Sequence, residues 1–212
     1  MKVNEIFLSL QGESLSSGLP TVFVRFTGCN LRCTYCDTTY SYEEGIEMEV
    51  NEILEEIKKY ECKRICLTGG EPLLQKDLQA LLDFLENYEV SIETNGSVDI
   101  SSFHLYQKHR FVMDIKCPSS GMSSCNLLKN IEFLTEKDEV KFVISDYEDF
   151  LYSKDIIESF NLEKKVSNVI MSPVYQNLNP QILADWILKN KLFNVRLGLQ
   201  LHKILWGEKR GI

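Results

Sequence analysis

At 212 residues and 44% hydrophobic, the chain suits one domain with a substantial core and is short for two, so a single domain over residues 1–212 is expected. Its formal net charge is -8, and Lys and Arg are scattered, so there is no basic stripe to neutralise a phosphate backbone and nucleic acid is excluded as an expected partner. The opening MKVNEIFLSLQGES has no apolar run long enough for a signal peptide, and no segment approaches the roughly 20 apolar residues of a membrane helix, so a cytoplasmic protein with no membrane partner is expected.

In chain order, the first strand-like run is TVFVRF (21–26), rich in β-branched and aromatic residues. Val50, Ile53, Leu54 and Ile57 then recur at i, i+3, i+4 and i+7, which predicts a helix with one apolar stripe. RICLT (64–68) reads as a strand, Leu78, Leu81, Leu82 and Leu85 as a second helix, and VSIET (90–94) as a strand. Further strand-like runs are FVMDIK (111–116), EVKFVIS (139–145), SNVIMS (167–172) and VRLGLQL (195–201). Alternating strands and helices imply parallel pairing with right-handed crossovers. A complete eightfold barrel needs about 250 residues, so an incomplete, open βα barrel with about six core parallel strands is expected, an open doubly wound sheet being the alternative. In both, functional groups collect at the C-terminal strand ends. That rule singles out Arg25 and the loop after it, Thr68-Gly69-Gly70-Glu71-Pro72, Glu93-Thr94-Asn95-Gly96, Asp114 with Lys116, and Ser172-Pro173.

Seven cysteines are an odd count, which argues against a disulfide framework and makes ligation the better question. Cys66 lies in the apolar run RICLTGG and reads as a small buried hydrophobe. Cys29, Cys33 and Cys36 form a C-x3-C-x2-C array in GCNLRCTYCDTTY, one thiolate short of a closed four-ligand site. A zinc ion completed by a distant Cys or His is one reading, although His104, His109 and His202 are all far along the chain. The other is a [4Fe-4S] cluster whose fourth iron stays open to a ligand. Asn30, Gly28 and Gly96 are compatible with turns.

The cysteine array, with Tyr35 just before its last thiol, resembles the cluster loop of the radical S-adenosylmethionine (SAM) superfamily, and Thr68-Gly-Gly-Glu-Pro72 resembles that superfamily's GGE motif. The resemblance implies that the amino and carboxylate groups of SAM chelate the open iron and that the GGE segment meets the amino group. FLSLQGES (7–14), Val22 to Arg25, CDT (36–38) and the terminal LQLHKILWGEKRGI are further similar to the 7-carboxy-7-deazaguanine synthase family, from residue 5 to the last. Membership would imply conversion of 6-carboxy-5,6,7,8-tetrahydropterin to 7-carboxy-7-deazaguanine with loss of ammonia, in queuosine and 7-deazapurine biosynthesis. SAM would act catalytically through a 5′-deoxyadenosyl radical.

On the same resemblance, Cys29, Cys33 and Cys36 would hold the cluster and Thr38 a magnesium ion that also binds the substrate carboxylate. Leu10, Gln11, Gly12, Glu13, Arg25, Thr68 and the terminal carboxylate of Ile212 would meet the pterin, and Tyr35, Asp37, Gly70, Lys116, Ser119 and Ser172 would meet SAM. The residue types suit these roles. A glycine pair lets backbone approach a ligand, a pterin edge of alternating donors and acceptors suits amide and carboxylate groups, and a guanidinium grips a carboxylate bidentately. The implied partners are a flavodoxin or ferredoxin as electron donor and a second copy in a homodimer. Rival readings are a glycyl-radical-enzyme activase, against which FLSLQGE, CDT and HKILWG argue, and a non-catalytic zinc-binding module. No Ser-His-Asp triad is expected.

Overall fold

A computed structural model describes all of residues 1–212. The strands are β1 (Lys2–Leu10), β2 (Pro20–Phe26), β3 (Ile46–Glu47), β4 (Arg64–Gly69), β5 (Glu89–Thr94), β6 (His109–Asp114), β7 (Glu139–Ile144), β8 (Asn168–Pro173) and β9 (Val195–Leu197). The helices are α1 (Val50–Lys58), α2 (Leu78–Phe84), α3 (Tyr147–Ser159), α4 (Leu162–Lys165), α5 (Pro180–Lys189) and α6 (Leu201–Trp206). All strands join one nine-stranded sheet in the order β3-β1-β2-β4-β5-β6-β7-β8-β9. β2 and β4 to β9 run parallel, and β1 and β3 are added antiparallel at one edge. The two ends of the sheet do not pair, so this is an open, incomplete βα barrel.

The parallel strands outnumber the expected six by one, because the short β9 also pairs with β8. β1 and β3 lie outside the predicted runs: KVNEIFLSL carries Lys2, Asn4 and Glu5, and IE is only two residues long. The last predicted strand, 195–201, is corrected. Pairing stops at Leu197, and Leu201 already starts α6. At Gly198 a Cβ would overlap the Ser172 hydroxyl and the Ile170 side chain, so the chain there passes too close to β8 for an ordinary strand residue.

Helix ends follow local chemistry. Glu49 and Glu52 form a reciprocal capping box on α1, with Glu49 N–H donating to Glu52 Oε2 at 2.8 Å. Asp146 caps α3 by accepting from Asp149 N–H at 2.9 Å, and Asn179 caps α5 ahead of Pro180.

Side chains alternate across the parallel strands. Val22, Val24, Phe26, Ile65, Leu67, Val90, Ile92, Met113, Val140, Phe142 and Met171 join a single cluster of 37 buried apolar residues. Their sequence neighbours Arg25, Thr68, Glu93, Asp114 and Lys141 face a cavity instead. Near the N-terminal ends of β6 and β7, Arg110 Nε pairs with Glu139 Oε1 at 2.9 Å, and Arg110 Nη2 donates to Ser16 Oγ at 2.6 Å. Glu139, fully buried, also accepts from Leu15 N–H at 2.9 Å and from Asn168 Nδ2 at 3.2 Å. Both oxygens of this buried carboxylate are therefore paired, and the loop after β1 is tied to the N-terminal ends of β6 and β7.

Candidate active site

The cavity encloses about 580 Å³ and opens at the C-terminal ends of β2 and β4 to β7. Cys29, Cys33 and Cys36 all line it, on the loop after β2, and all are free and partly exposed. Backbone contacts hold this loop. Gly28, at φ +99°, donates its N–H to Ser41 O at 2.8 Å, and its carbonyl accepts from Glu71 N–H at 2.8 Å. Thr34 reaches Ser120 O through its N–H at 3.1 Å and Ser119 O through its hydroxyl at 2.7 Å. Arg32 Nη1 donates to the Cys29 and Leu31 carbonyls while its guanidinium lies 4.2 Å from the Tyr42 ring centroid. Cys29 Sγ accepts from Leu31 N–H at 3.4 Å and faces the Asn95 amide at 3.7 Å.

No three of the chain's His, Cys, Asp and Glu side chains converge on one point as a single metal ion requires. A mononuclear zinc site needs every donor about 2.0–2.3 Å from one centre, whereas a cluster takes each thiolate on a different iron. Three soft donors on one loop, all lining one cavity, suit a cluster. At Gly70 a Cβ would overlap the Gly28 carbonyl and the Cys29 Cβ, so the glycine pair lets the β4 backbone lie directly against the cysteine loop. Glu71 is a strut. Its buried carboxylate accepts from Leu73 N–H at 3.1 Å and Asn95 N–H at 2.6 Å, joining the β4 and β5 loops, and burial pushes its pKa up to about 6.

At the other end of the cavity, Gln11 Nε2 and Thr68 Oγ1 donate to the two oxygens of Glu93, at 3.2 and 3.1 Å. Arg25 is fixed through Nε to Glu5 Oε1 at 2.7 Å, with the Phe7 and Tyr40 rings each 5.8 Å away. Its terminal amino groups have no protein partner and remain free for a ligand. Burial pushes the Arg25 pKa down, but Tyr40, Glu5 and Glu93 raise it by more, so it stays charged. Phe7 and Phe23 stack at 5.1 Å on the same wall.

The C-terminal run completes the site. Leu201 N–H donates to Gly12 O at 3.0 Å, Gln200 Nε2 to Glu13 Oε1 at 2.8 Å, and Lys203 Nζ lies 3.1 Å from Asp37 Oδ2. Asp37 also accepts from the Thr38 hydroxyl at 2.8 Å. Burial pushes the Asp37 carboxyl up, but Lys203 and Thr38 hold it below its ordinary value. Arg210 clamps the tail through Glu44 and Asn4, each at 2.9 Å, with its guanidinium 3.8 Å from the Tyr40 ring centroid, and Ile212 reaches the cavity wall. A Cβ on Gly12 would overlap the His202 imidazole. Gly12→Ala is therefore expected to cost about 1–3 kcal/mol by overpacking, read as a lowered melting temperature, and adding His202→Ala should restore most of it. A loss that persists in the double variant would show that His202 is not the obstacle.

A line of alternating charges crosses the cavity. Lys116 Nζ is 3.0 Å from Asp114 Oδ2, which is 3.6 Å from Lys141 Nζ, itself 2.6 Å from Glu13 Oε2. Burial alone would push Glu13 up, but Lys141 with the hydrogen bond from Gln200 holds its pKa below the ordinary carboxylate value. Burial would push Lys116 and Lys141 down, and the facing carboxylates raise both instead.

Of the residues singled out from sequence, Leu10, Gln11, Gly12, Glu13, Arg25, Cys29, Cys33, Tyr35, Cys36, Asp37, Thr38, Thr68, Gly70, Lys116 and Ile212 share this cavity. Ser119 and Ser172 do not line it. Ser119 donates its hydroxyl to Asp146 Oδ2 and its N–H to Asp149 Oδ1, both at 2.9 Å, bracing the cysteine loop against α3. Ser172 is buried behind the wall, its hydroxyl unpartnered beside Gly198. Glu93 and Asp114 were visible from sequence only as strand ends, while Lys141, Gln200, His202 and Lys203 were not singled out. The signal for Lys141 is a charge on the inward-alternating side of EVKFVIS, an otherwise apolar strand.

An open parallel sheet bearing a three-thiolate loop at the tip of one strand and a glycine pair against it on the next defines the radical SAM class. A family description, "Radical SAM superfamily", matches residues 23–120. The crystal structure of QueE from Escherichia coli superposes with a TM-score of 0.75 at 21% identity, over 95% of this chain and 94% of that one, a likeness of fold. Full-length relatives are closer in sequence. The 7-carboxy-7-deazaguanine synthase of Clostridium acetobutylicum is 44% identical, covering 100% of this chain and 99% of that protein. That of Koribacter versatilis is 40% identical over 100% of both. The chain belongs to the 7-carboxy-7-deazaguanine synthase family.

Proposed function

We propose that the chain, acting as one domain over residues 1–212, is a radical SAM lyase that converts 6-carboxy-5,6,7,8-tetrahydropterin to 7-carboxy-7-deazaguanine with release of ammonia. The observation that carries this reading is the convergence of three distant runs, QGE after β1, CDT after β2 and LHK at α6, round one cavity that also holds the three thiols.

Cys29, Cys33 and Cys36 would hold a [4Fe-4S] cluster, with Tyr35, Asp37, Gly70 and Lys116 disposed toward SAM. When bound, the reduced cluster supplies the one electron that cleaves SAM to a 5′-deoxyadenosyl radical. The residues of the chain supply position. Arg25 offers its free amino groups to the substrate carboxylate, a bidentate match. Glu13, ionised, accepts N–H donors from the pterin edge, and Leu10, Gln11, Gly12 and Thr68 complete that edge. Stacked Phe7 and Phe23 give a flat apolar wall, and the Arg210 clamp keeps the tail at Ile212 beside the cavity. Ser119 acts by bracing the cysteine loop, and Ser172 by filling the wall beside β9.

Thr38 keeps oxygen lone pairs free while donating its proton to Asp37, which suits a single protein oxygen on Mg2+ beside the substrate carboxylate. Seven unpaired cysteines suit a reducing cytoplasm, and no helix is long and apolar enough to cross a membrane. A flavodoxin or ferredoxin would deliver the electron. Exposed Leu188 and Phe193 at the α5–β9 turn support a homodimer.

Anaerobic incubation with SAM, reductant, Mg2+ and the carboxytetrahydropterin is expected to yield the deazapurine. 5′-Deoxyadenosine accumulating without that product would overturn the substrate assignment. Thr38→Ala is expected to raise the Mg2+ concentration for half-maximal turnover by about tenfold; an unchanged requirement would remove Thr38 from the metal site.

A further inference from the structure

We propose that Lys141 is a positioning residue that fixes the Glu13 carboxylate at the substrate end of the cavity and ties it, through Asp114, to Lys116 at the cysteine end. This rests on the pterin reading above. Lys141 belongs to β7, whereas Glu13 follows β1, which lies beyond β2, β4, β5 and β6 in the sheet order. In an open sheet no backbone ladder joins those two sides, and the 2.6 Å Lys141–Glu13 pair spans the concavity between them. Asp114 is the direct register neighbour of Lys141 in the parallel β6–β7 pair, so the carboxylate opposing Lys141 is set by the sheet itself.

The four side chains are only 13–15% exposed. Ions this far from water cost desolvation energy that two well-packed apolar residues would avoid, so the pair is a poor device for stability alone. What it does supply is orientation. Lys141 takes Glu13 Oε2 and Gln200 takes Oε1, so the carboxylate plane is held by one donor on each oxygen and presents its remaining lone pairs to the cavity. Asp114 Oδ2 is shared by both lysines, while its Oδ1 is buried with no protein partner. Without Lys141, Glu13 would keep only Gln200 and would turn toward water or take up a proton.

The test is a cycle of four proteins, cluster-loaded wild type, Lys141→Met, Glu13→Gln and the double variant, titrated anaerobically by calorimetry with the carboxytetrahydropterin in the presence of SAM, and separately with SAM. Lys141→Met is expected to weaken pterin binding by at least about tenfold and SAM binding by less than about twofold. In the Glu13→Gln background the same change should cost less than about threefold. Lys141→Arg should recover most of the affinity, because the guanidinium can still reach the carboxylate. Equal losses in both backgrounds, equal losses for pterin and SAM, or no loss at all would overturn the proposal. Should Lys141→Met not fold, Lys141→Gln takes its place with the same expectations. A wild type that binds SAM but no pterin would instead overturn the substrate reading, and the positioning role with it.

Discussion

Cys33→Ala is expected to abolish SAM cleavage, by at least about 1,000-fold, while leaving the melting temperature of the metal-free protein near that of the wild type. The Cys33 side chain lines the cavity, is partly exposed, and its sulfur makes no hydrogen bond, so removing it opens no buried void and strands no partner. Burial pushes the Cys33 thiol up despite Lys116 nearby, so without metal it stays protonated and pays no charge cost. What would be lost, on the proposed cluster reading, is one of three thiolate donors. Iron and sulfide content after anaerobic reconstitution, together with 5′-deoxyadenosine formation, read the effect. Cys66→Ala is the contrast. Cys66 is fully buried on β4, so its loss should lower stability and leave iron content unchanged. Iron retained at wild-type level in Cys33→Ala would remove Cys33 from the ligand set.

Gly69→Ala carries the second large effect, and it acts through backbone. Gly69 ends β4 opposite Phe26 of β2, at φ +130°, and an added Cβ would overlap the Phe26 carbonyl and amide nitrogen. The obstacle is backbone inside a parallel ladder, so it cannot rotate away as a side chain would. Positive φ strain and the overlap together are expected to cost about 3–5 kcal/mol, or about 6–20 °C in melting temperature at this size. SAM binding should fall as well, because the strand end that presents Gly70 to the cysteine loop must shift. Gly28→Ala separates the two causes. Its φ is +99°, yet nothing lies within 4 Å of the added Cβ, so about 1–2 kcal/mol of conformational strain is the whole expected cost. Equal destabilisation by the two substitutions would show that overlap with Phe26 plays no part.

Much of this architecture is legible in the chain because each parallel strand is buried on one face by helices and marked by alternation. Val22, Val24 and Phe26, or Val140, Phe142 and Ile144, are core residues by period alone, and the i, i+3, i+4 stripes of α1 and α2 lie where the leucines and isoleucines put them. β1 escaped because a strand added antiparallel near one edge of the sheet, with one face toward solvent or cavity, needs no continuous apolar run. α6 escaped because the Leu-rich VRLGLQL reads as strand until Gly198 is seen pressed against Ser172, a contact between segments that spacing cannot reveal.

By itself the amino-acid sequence determined the parallel order of elements, the three thiols on one loop, the glycine pair and the polar residues at strand ends, since these depend on short-range pattern and on residue chemistry. Only the tertiary structure decided which of those groups meet. It seated the C-terminal run on Gly12 and Glu13, made Glu71 a strut between the β4 and β5 loops, placed Ser119 and Ser172 outside the cavity, and brought Lys141 across to Glu13 over 128 residues of chain. The physical reason is that an open sheet sets local direction by hydrogen-bonded neighbours, while contacts across its concavity depend on how far the whole sheet curls, a property no single segment carries.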